Sequence, residues 1–399
     1  MPIRTMGSNL VSIDLLFGRI GDRGVHYIRM AKNCNMNTLR LHGGQIVYPE
    51  SLYDAADEMG IMLLSEFPIG NCCIENDPEL LDNLERTVVN IVKQLRNHPS
   101  IIEWSGGNEL EWYFRTNEDR TGMYRQEKAV YSADNTRLFR YTCPVPGSRH
   151  SPWDYNPDLH YKLYNHDIGD NFKIAPNMRF GEFGCQTPSN IEVWYRDIPP
   201  ESRWPINEED PVLIRKNAVQ AVFAPNMWFA LNIIERIFGK ADSLEMAIKA
   251  GQFLGAEGVR YSMDALRAKG KKIGGFTSWV YNEPWPNGAG SFMIDYDGRP
   301  LMMYYFVKQA LAPVSLQLKY DSLLYDFFED TFAELILVSD SPCDFPELNW
   351  KWTARDRHGN IYGSDSGVVS AGKQTVKTLG RIKINPPVEM VYGPAFIEL

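Results

Sequence analysis

The sequence predicts an α/β protein: a (β/α)8 TIM barrel over residues 1–313, followed by a small β-sandwich over residues 314–399. Three observations carry that prediction. Short apolar runs recur up to about residue 282, separated by amphipathic stretches or long polar connections, which is the pattern of alternating strands and helices. After Ala312-Pro313 the texture changes, and apolar residues begin to alternate singly with polar ones. Finally, 399 residues, 44% of them hydrophobic, suffice to bury one large core and a smaller one.

Taken in order, the runs read as strands are Ile3–Leu10, Asn37–His42, Ile61–Phe67, Ile101–Ser105, Arg137–Thr142, Met178–Phe183 and Gly275–Tyr281. An eighth strand is assigned to Leu159–Tyr164 (LHYKLY), because eight parallel strands close a barrel. Between the third and fourth runs, Asp77–Gln94 places Leu80, Leu81, Leu84, Val88 and Ile91 at helical steps, with Leu95 following, Asp77 as cap and Pro78 in the first turn. Ser243–Lys269 is also helical, with Gly270 as its stop; Gly251, Gly255 and Gly258 imply either a break or close packing. The polar stretch from Thr187 to Asp210 is long for a connection and fits a binding loop at the barrel mouth. In the last part, Leu316, Leu318 and Tyr320, then Leu348, Trp350 and Trp352, then Ile382 and Ile384 alternate as half-buried antiparallel strands do. Ile3 already falls in the first strand and Phe396-Ile397-Glu398-Leu399 reads as another, so a piece of a longer protein is expected.

Charge and composition narrow the function. A formal charge of −9 disfavours a nucleic-acid surface, which needs clustered Lys and Arg. No apolar run is long enough to span a membrane, and MPIRTMGSNL lacks the basic flank and apolar block of a signal peptide, so no membrane partner is expected and the compartment stays open. The six cysteines form no Cys-x-x-Cys pair and are expected to be reduced and mostly buried. The seven histidines show no His-Glu-x-x-His spacing, and no phosphate loop is present, so metal and nucleotide chemistry are both demoted.

Two carboxylates fall where a barrel places its chemistry, beyond the C-terminal ends of strands. Glu109 follows the Ile101–Ser105 run through Gly106, Gly107 and Asn108, and Glu182 closes the Met178–Phe183 run. An acid and a nucleophile about 5 Å apart hydrolyse glycosides with retention of configuration. Position alone leaves open that both are ordinary surface acids.

A resemblance adds to this reading. The segments NMNTLRLHGG (Asn35–Gly44), ESLYDAADEMGIMLLSEFP (Glu50–Pro68), HPSIIEWSGGNELEW (His98–Trp112), GEFGCQTPS (Gly181–Ser189) and WVYNEPWP (Trp279–Pro286), the last continuing into SFMIDYDGRPLMMYYFVKQALAPV (Ser291–Val314), occur in one order. From Gly7 to about Pro313 the chain resembles the catalytic barrel of glycoside hydrolase family 2, especially its β-mannosidase branch. The resemblance implies that Glu109 is the acid/base, Glu182 the nucleophile, and Asn108 the partner of the sugar's 2-hydroxyl. It also places Trp279, Trp285 and Asn282 near the sugar and pairs Arg40 with the nucleophile. Tyr164, with Tyr161 as a rival, becomes the tyrosine that hydrogen-bonds that nucleophile. It implies a carbohydrate substrate and no cofactor, an incomplete immunoglobulin-like sandwich at the end, and N-terminal sandwich domains missing from this chain, one of which lends residues to the sugar pocket. Two departures stand out. His42 replaces a tryptophan, which gives it a sugar contact and puts the sugar in doubt, and Glu103 replaces an apolar residue. Glu111 becomes a rim residue. The implied activity is that of a retaining exo-β-glycosidase, β-mannosidase-like. The alternatives are the same mechanism on a β-galactoside, β-glucuronide or β-glucosaminide, or a carbohydrate-binding piece with impaired catalysis.

Overall fold

Eight parallel strands form one curled, barrel-like sheet: β1 (Thr5–Leu10), β2 (Thr38–Leu41), β3 (Met62–Glu66), β4 (Ile101–Ser105), β5 (Leu138–Arg140), β6 (Ser148–His150), β7 (Met178–Glu182) and β8 (Ile273–Ser278). The computed structural model describes residues 3–113, 120–153, 155–166, 177–207, 209–216, 229–325, 330–385 and 394–399. The strands lie in the order β5-β4-β3-β2-β1-β8-β7-β6, all neighbours parallel, with β5 and β6 as the two ends. Parallel strands covered on both faces need apolar residues throughout rather than in alternation, and the first two strands are buried at every position.

Helices α1 (Arg23–Asn33), α2 (Glu50–Met59), α3 (Pro78–Leu95) and α4 (Thr121–Ala133) follow the first four strands. At the start of α3 the Asp77 carboxylate accepts the N–H of Leu80 at 2.8 Å and Pro78 occupies the first turn, as its sequence dictates. The helix Leu244–Ala268 runs for 25 residues without a break. Its glycines serve close packing instead, since a Cβ on Gly255 would lie 2.5 Å from the carbonyl oxygen of Gln186.

Two sequence assignments are corrected. Leu159–Tyr164 is not a strand: His160–His166 forms helix α5, with His160, Tyr161 and Tyr164 buried on one helical face. The sixth strand is Ser148–His150, three polar or charged residues with no apolar run to mark it. The stretch from Thr187 to Asp210 is not an open loop either. Thr187–Pro188 pairs with Ala289–Gly290, and Ile191–Asp197 is a helix whose buried Trp194 donates its indole N–H to the Gly288 carbonyl at 2.8 Å.

Glu103 is explained by the barrel interior. Its carboxylate takes hydrogen bonds from Arg140 at 2.9 and 3.1 Å and from Arg179 at 3.0 and 3.1 Å, linking β4, β5 and β7. Burial would push its carboxyl up, but Arg179 and Arg140 overcome that and hold it below the usual carboxylate range.

Beyond Ala312 two antiparallel three-stranded sheets face each other. One contains Val314–Lys319, Phe332–Ser339 and Thr375–Lys383; the other contains Phe345–Arg355, Ile361–Ala371 and Phe396–Glu398. Leu337 and Val369, one from each sheet, meet in a shared core with Leu316 and Trp350. Arg267 ties these sheets to the barrel, donating to Asp340 at 2.8 Å and to the Ala312 carbonyl at 2.8 Å. A cavity of about 250 Å³ with a mixed polar and apolar lining lies at this junction, bordered by Tyr164, Tyr261, Asp264, Gln317 and Ile336 among others.

Candidate active site

The turn after β4 fixes Glu109. Its φ is 52°, a left-handed conformation that costs a non-glycine residue about 1–2 kcal/mol. Backbone contacts hold it there: the Glu109 N–H donates to the Cys143 carbonyl at 2.8 Å, and the Asn108 N–H donates to the Ile69 carbonyl at 3.0 Å. Gly107 has to be glycine, because its φ is 149° and a Cβ would lie 2.3 Å from the Ile69 oxygen. Glu109 therefore points from a rigid turn, not from a flexible loop.

Arg40, near the end of β2, organises the centre. It binds Glu66 through two parallel hydrogen bonds of 2.8 Å each, and donates at 2.7 Å to Asn9, 2.7 Å to Asn108 and 2.6 Å to Glu182. One guanidinium thus links β1, β2, β3, the β4 turn and β7. Asn108 also donates to Asn71 at 3.1 Å.

The two carboxyls face each other across the mouth, with an oxygen of Glu109 within 4.8 Å of an oxygen of Glu182. Between them sits His150, its Nδ1 2.7 Å from Glu109 Oε1 and 3.4 Å from Glu182 Oε2. Burial pushes Glu109 up to about 7, against the pull of Arg40 and Asn71. Burial likewise pushes Glu182 up to about 8, against Arg40 and with the charge of Glu109 adding to the rise. The pair accordingly keeps a proton at neutral pH. Burial, reinforced by Arg40, holds His42 and His150 well below the usual imidazole range, so both are neutral.

Both carboxyls bind protons more tightly folded than unfolded, so their contribution is fully present below the ordinary carboxylate range and is lost as pH rises through about 7 to 8. Thermal melts of the wild type are expected to fall by a few degrees between pH 5 and pH 8, and Glu182→Gln should flatten that fall. Parallel curves for the two proteins would show that the buried charge is not the cause.

The other sequence candidates separate into two groups. His42 belongs to the site, with Nε2 3.7 Å from Glu182 Oε1 and its ring edge-on to Trp279 at 4.8 Å. Trp279 in turn meets Trp153 at 6.1 Å, and Trp153 meets His150 at 6.3 Å, so four rings make a continuous wall beside the carboxyls. Three candidates lie elsewhere. Asn282 spends its side chain on backbone, accepting from the Val11 N–H at 3.1 Å and donating to the Ser12 carbonyl at 3.1 Å. Tyr164 sits on α5 against His160 at 5.3 Å and lines the junction cavity, and its rival Tyr161 is likewise buried on α5. Trp285 is 45% exposed on the rim, where Lys216 lies over its ring. Sequence reasoning missed Asn9, Glu66, Asn71, Cys143, His150 and Trp153. Glu66 was findable, because it ends an apolar strand just as Glu182 does.

Among the described residues, two groups gather enough carboxylate and imidazole to consider a cation, Glu109 with His150 and Glu182, and Glu50 with Asp54 and His98. In the first, the Arg40 guanidinium at 2.6 Å already supplies the positive charge. In the second, His98 commits its ring nitrogens to Asp57 at 2.7 Å and Glu50 at 3.0 Å.

A parallel barrel with two opposed buried carboxyls at the C-terminal ends of its strands is the architecture of a two-carboxylate glycoside hydrolase. Comparisons with known proteins make the class specific. Residues 20–169 match the family described as glycosyl hydrolases family 2, TIM barrel domain. A β-mannosidase of Capra hircus is 27% identical over 382 residues, covering 86% of this chain and 42% of that protein. β-Mannosidase B of Thermothelomyces thermophilus is 26% identical over 348 residues, covering 78% and 39%. The β-D-mannosidase structure from Dictyoglomus thermophilum superposes with a TM-score of 0.78 at 20% identity, over 96% of this chain and 47% of that one. The exo-chitosanase of Amycolatopsis orientalis gives 0.74 at 16% identity, over 96% and 44%. Over residues 20–169 the chain matches the barrel domain of glycosyl hydrolases family 2; it is similar to β-mannosidases and spans less than half the length of these relatives.

Proposed function

We propose that this barrel is the catalytic part of a retaining exo-β-glycosidase that removes a terminal β-linked sugar, a β-mannoside in the first place. The carboxyl pair carries the reading. Its oxygens come within 4.8 Å. Retaining enzymes hold their carboxyls about 5–5.5 Å apart, and inverting ones about 6.5–9.5 Å apart to admit a water. Even with Arg40 opposing, Glu182 stands at about 8 and Glu109 at about 7, so the pair shares one proton, and we assign that proton to Glu109 from its contacts. Arg40 donates directly to Glu182 at 2.6 Å, and a neutral Glu182 would forfeit that charge-assisted bond. Among the described residues Glu109 has Asn71 and His150 as hydrogen-bond partners and no cation in direct contact, which favours the proton there.

In the first step the Glu182 carboxylate attacks the anomeric carbon while Glu109 gives its proton to the glycosidic oxygen; the bond to the aglycone breaks and a glycosyl ester forms. In the second, the Glu109 carboxylate takes a proton from water, the water oxygen attacks the same carbon, and Glu182 leaves as carboxylate. Asn108 gives one amide hydrogen to Asn71, and the other is assigned to the sugar's 2-hydroxyl. The ring wall of Trp279, Trp153 and His42 offers apolar faces to the pyranose.

Similarity to β-mannosidases supports a mannoside. His42 favours a second reading, the same mechanism on another β-sugar, because a ring that can donate or accept faces the site there. A panel of aryl β-glycosides read by proton NMR tests both points. The mannoside is expected to turn over at least about tenfold faster than the galactoside, glucuronide or glucosaminide, and to release the β-anomer first. Initial release of the α-anomer would rule out retention, and faster turnover of another sugar would replace the mannoside.

Replacing the acid separates the two carboxyls. Glu109→Ala should slow a substrate with a poor leaving group by about 10²–10⁴-fold, while leaving the first step on a dinitrophenyl glycoside close to wild type. Glu111→Ala, on the short turn Leu110–Tyr113, should spare both substrates. Leaving-group dependence that followed Glu111 instead would overturn the assignment.

A further inference from the structure

His150 touches both carboxyls, and its other nitrogen faces sulphur: Nε2 lies 3.1 Å from Cys143 Sγ. The contact is built in. A Cβ on Gly181 would lie 2.4 Å from that sulphur and 2.9 Å from Nε2, so glycine on β7 leaves the room in which thiol and imidazole meet. A neutral imidazole has a single N–H. On Nδ1 that hydrogen points at Glu109 Oε1 and Glu182 Oε2; on Nε2 it would leave a bare lone pair turned toward carboxylate oxygens. Burial pushes the Cys143 thiol up to about 11, with Arg40 opposing, so it remains S–H and can donate.

We propose that Cys143 and His150 form a positioning pair, in which the thiol donates to Nε2 and thereby fixes the imidazole tautomer whose Nδ1–H is shared between the two catalytic carboxyls. This rests on the reading of Glu109 and Glu182 as the catalytic pair. The N–H stabilises the Glu109 carboxylate left after proton donation, which makes Glu109 a better acid than its burial alone would allow. The other charged or titratable groups facing this spot are Arg40 on β2, His42 just beyond it, Glu66 on β3, Arg140 on β5 and Glu182 on β7. Arg40 commits its N–H groups to Glu66, Asn9, Asn108 and Glu182, Arg140 commits its own to Glu103, and His42 is neutral, while Cys143 Sγ lies 3.1 Å from Nε2.

The tautomer is directly measurable. Long-range proton–nitrogen spectra of protein carrying ¹⁵N-histidine, with His150 assigned through His150→Asn, should show Nδ1 protonated and Nε2 bare. Cys143→Val should move His150 toward the Nε2–H form, and Cys143→Ser, which keeps a donor, should not. In parallel, the alkaline limb of kcat/KM on an aryl glycoside should shift upward by about one pH unit in Cys143→Val, the worth of one hydrogen bond to a carboxylate, and stay in place in Cys143→Ser. A bare Nδ1 in the wild type, or a tautomer indifferent to Cys143→Val, would overturn the pairing. The tautomer is read without turnover, so failure of the pairing is distinguishable from failure of the glycosidase reading.

Discussion

Glu182→Ala is expected to reduce turnover of an aryl β-glycoside on the order of 10⁵-fold, because the covalent step then has no nucleophile and no other described carboxylate takes its place. Glu66 cannot substitute, since both its oxygens are held by Arg40. The lesion should be chemical and not structural: Arg40 keeps Glu66 and Asn9 as partners, so the centre stays paired when Glu182 is removed. Azide fits the vacated volume and can attack from the same face, with Glu109 still present to protonate the leaving group. Rescue should therefore yield the α-glycosyl azide, the product of a single displacement. A variant that retained turnover, or an azide product of β configuration, would remove Glu182 from its role.

Arg40→Ala is the second large effect. Arg40 compensates two buried carboxylates at once, and removing it leaves Glu66 and Glu182 facing each other without a cation. Breaking a buried pair from one side costs about 3–5 kcal/mol, and the loss of electrostatic support for the nucleophile adds about 10²–10³-fold in kcat/KM. The pH dependence carries the sign. Without Arg40 the folded-state value of Glu182 rises further, so the stability deficit should be full at neutral pH and shrink as pH falls and that carboxyl protonates. Denaturant titrations of wild type and variant at pH 5 and pH 8 measure this directly, and a deficit that grew toward acid would contradict it.

The barrel was legible because most of its strands are unbroken apolar runs, and the carboxyls were legible because acids that end such runs lie at the mouth. What escaped notice escaped for local reasons. β6 is only Ser148–His150, with no hydrophobic signal, so neither the strand nor the histidine it carries into the site is marked in the sequence, whereas the buried face of α5 imitates a short strand. Asn282 and Trp285 do follow β8, but sequence does not say which way a side chain turns after a strand ends. One bonds to the backbone at Val11 and Ser12, and the other faces solvent. Glu103 looked anomalous because its partners, Arg140 and Arg179, come from strands 37 and 76 residues away.

The central claim is that Glu182 becomes covalently linked to the sugar. A 2-deoxy-2-fluoro-mannosyl fluoride slows both steps, but its good leaving group lets the first proceed, so the ester accumulates. Digestion and mass spectrometry of the inactivated protein should place a single fluoromannosyl group on Glu182, within the segment Gly181–Ser189. A label on Glu109, or steady hydrolysis of the β-mannoside with no covalent adduct and an inverted product, would contradict the account.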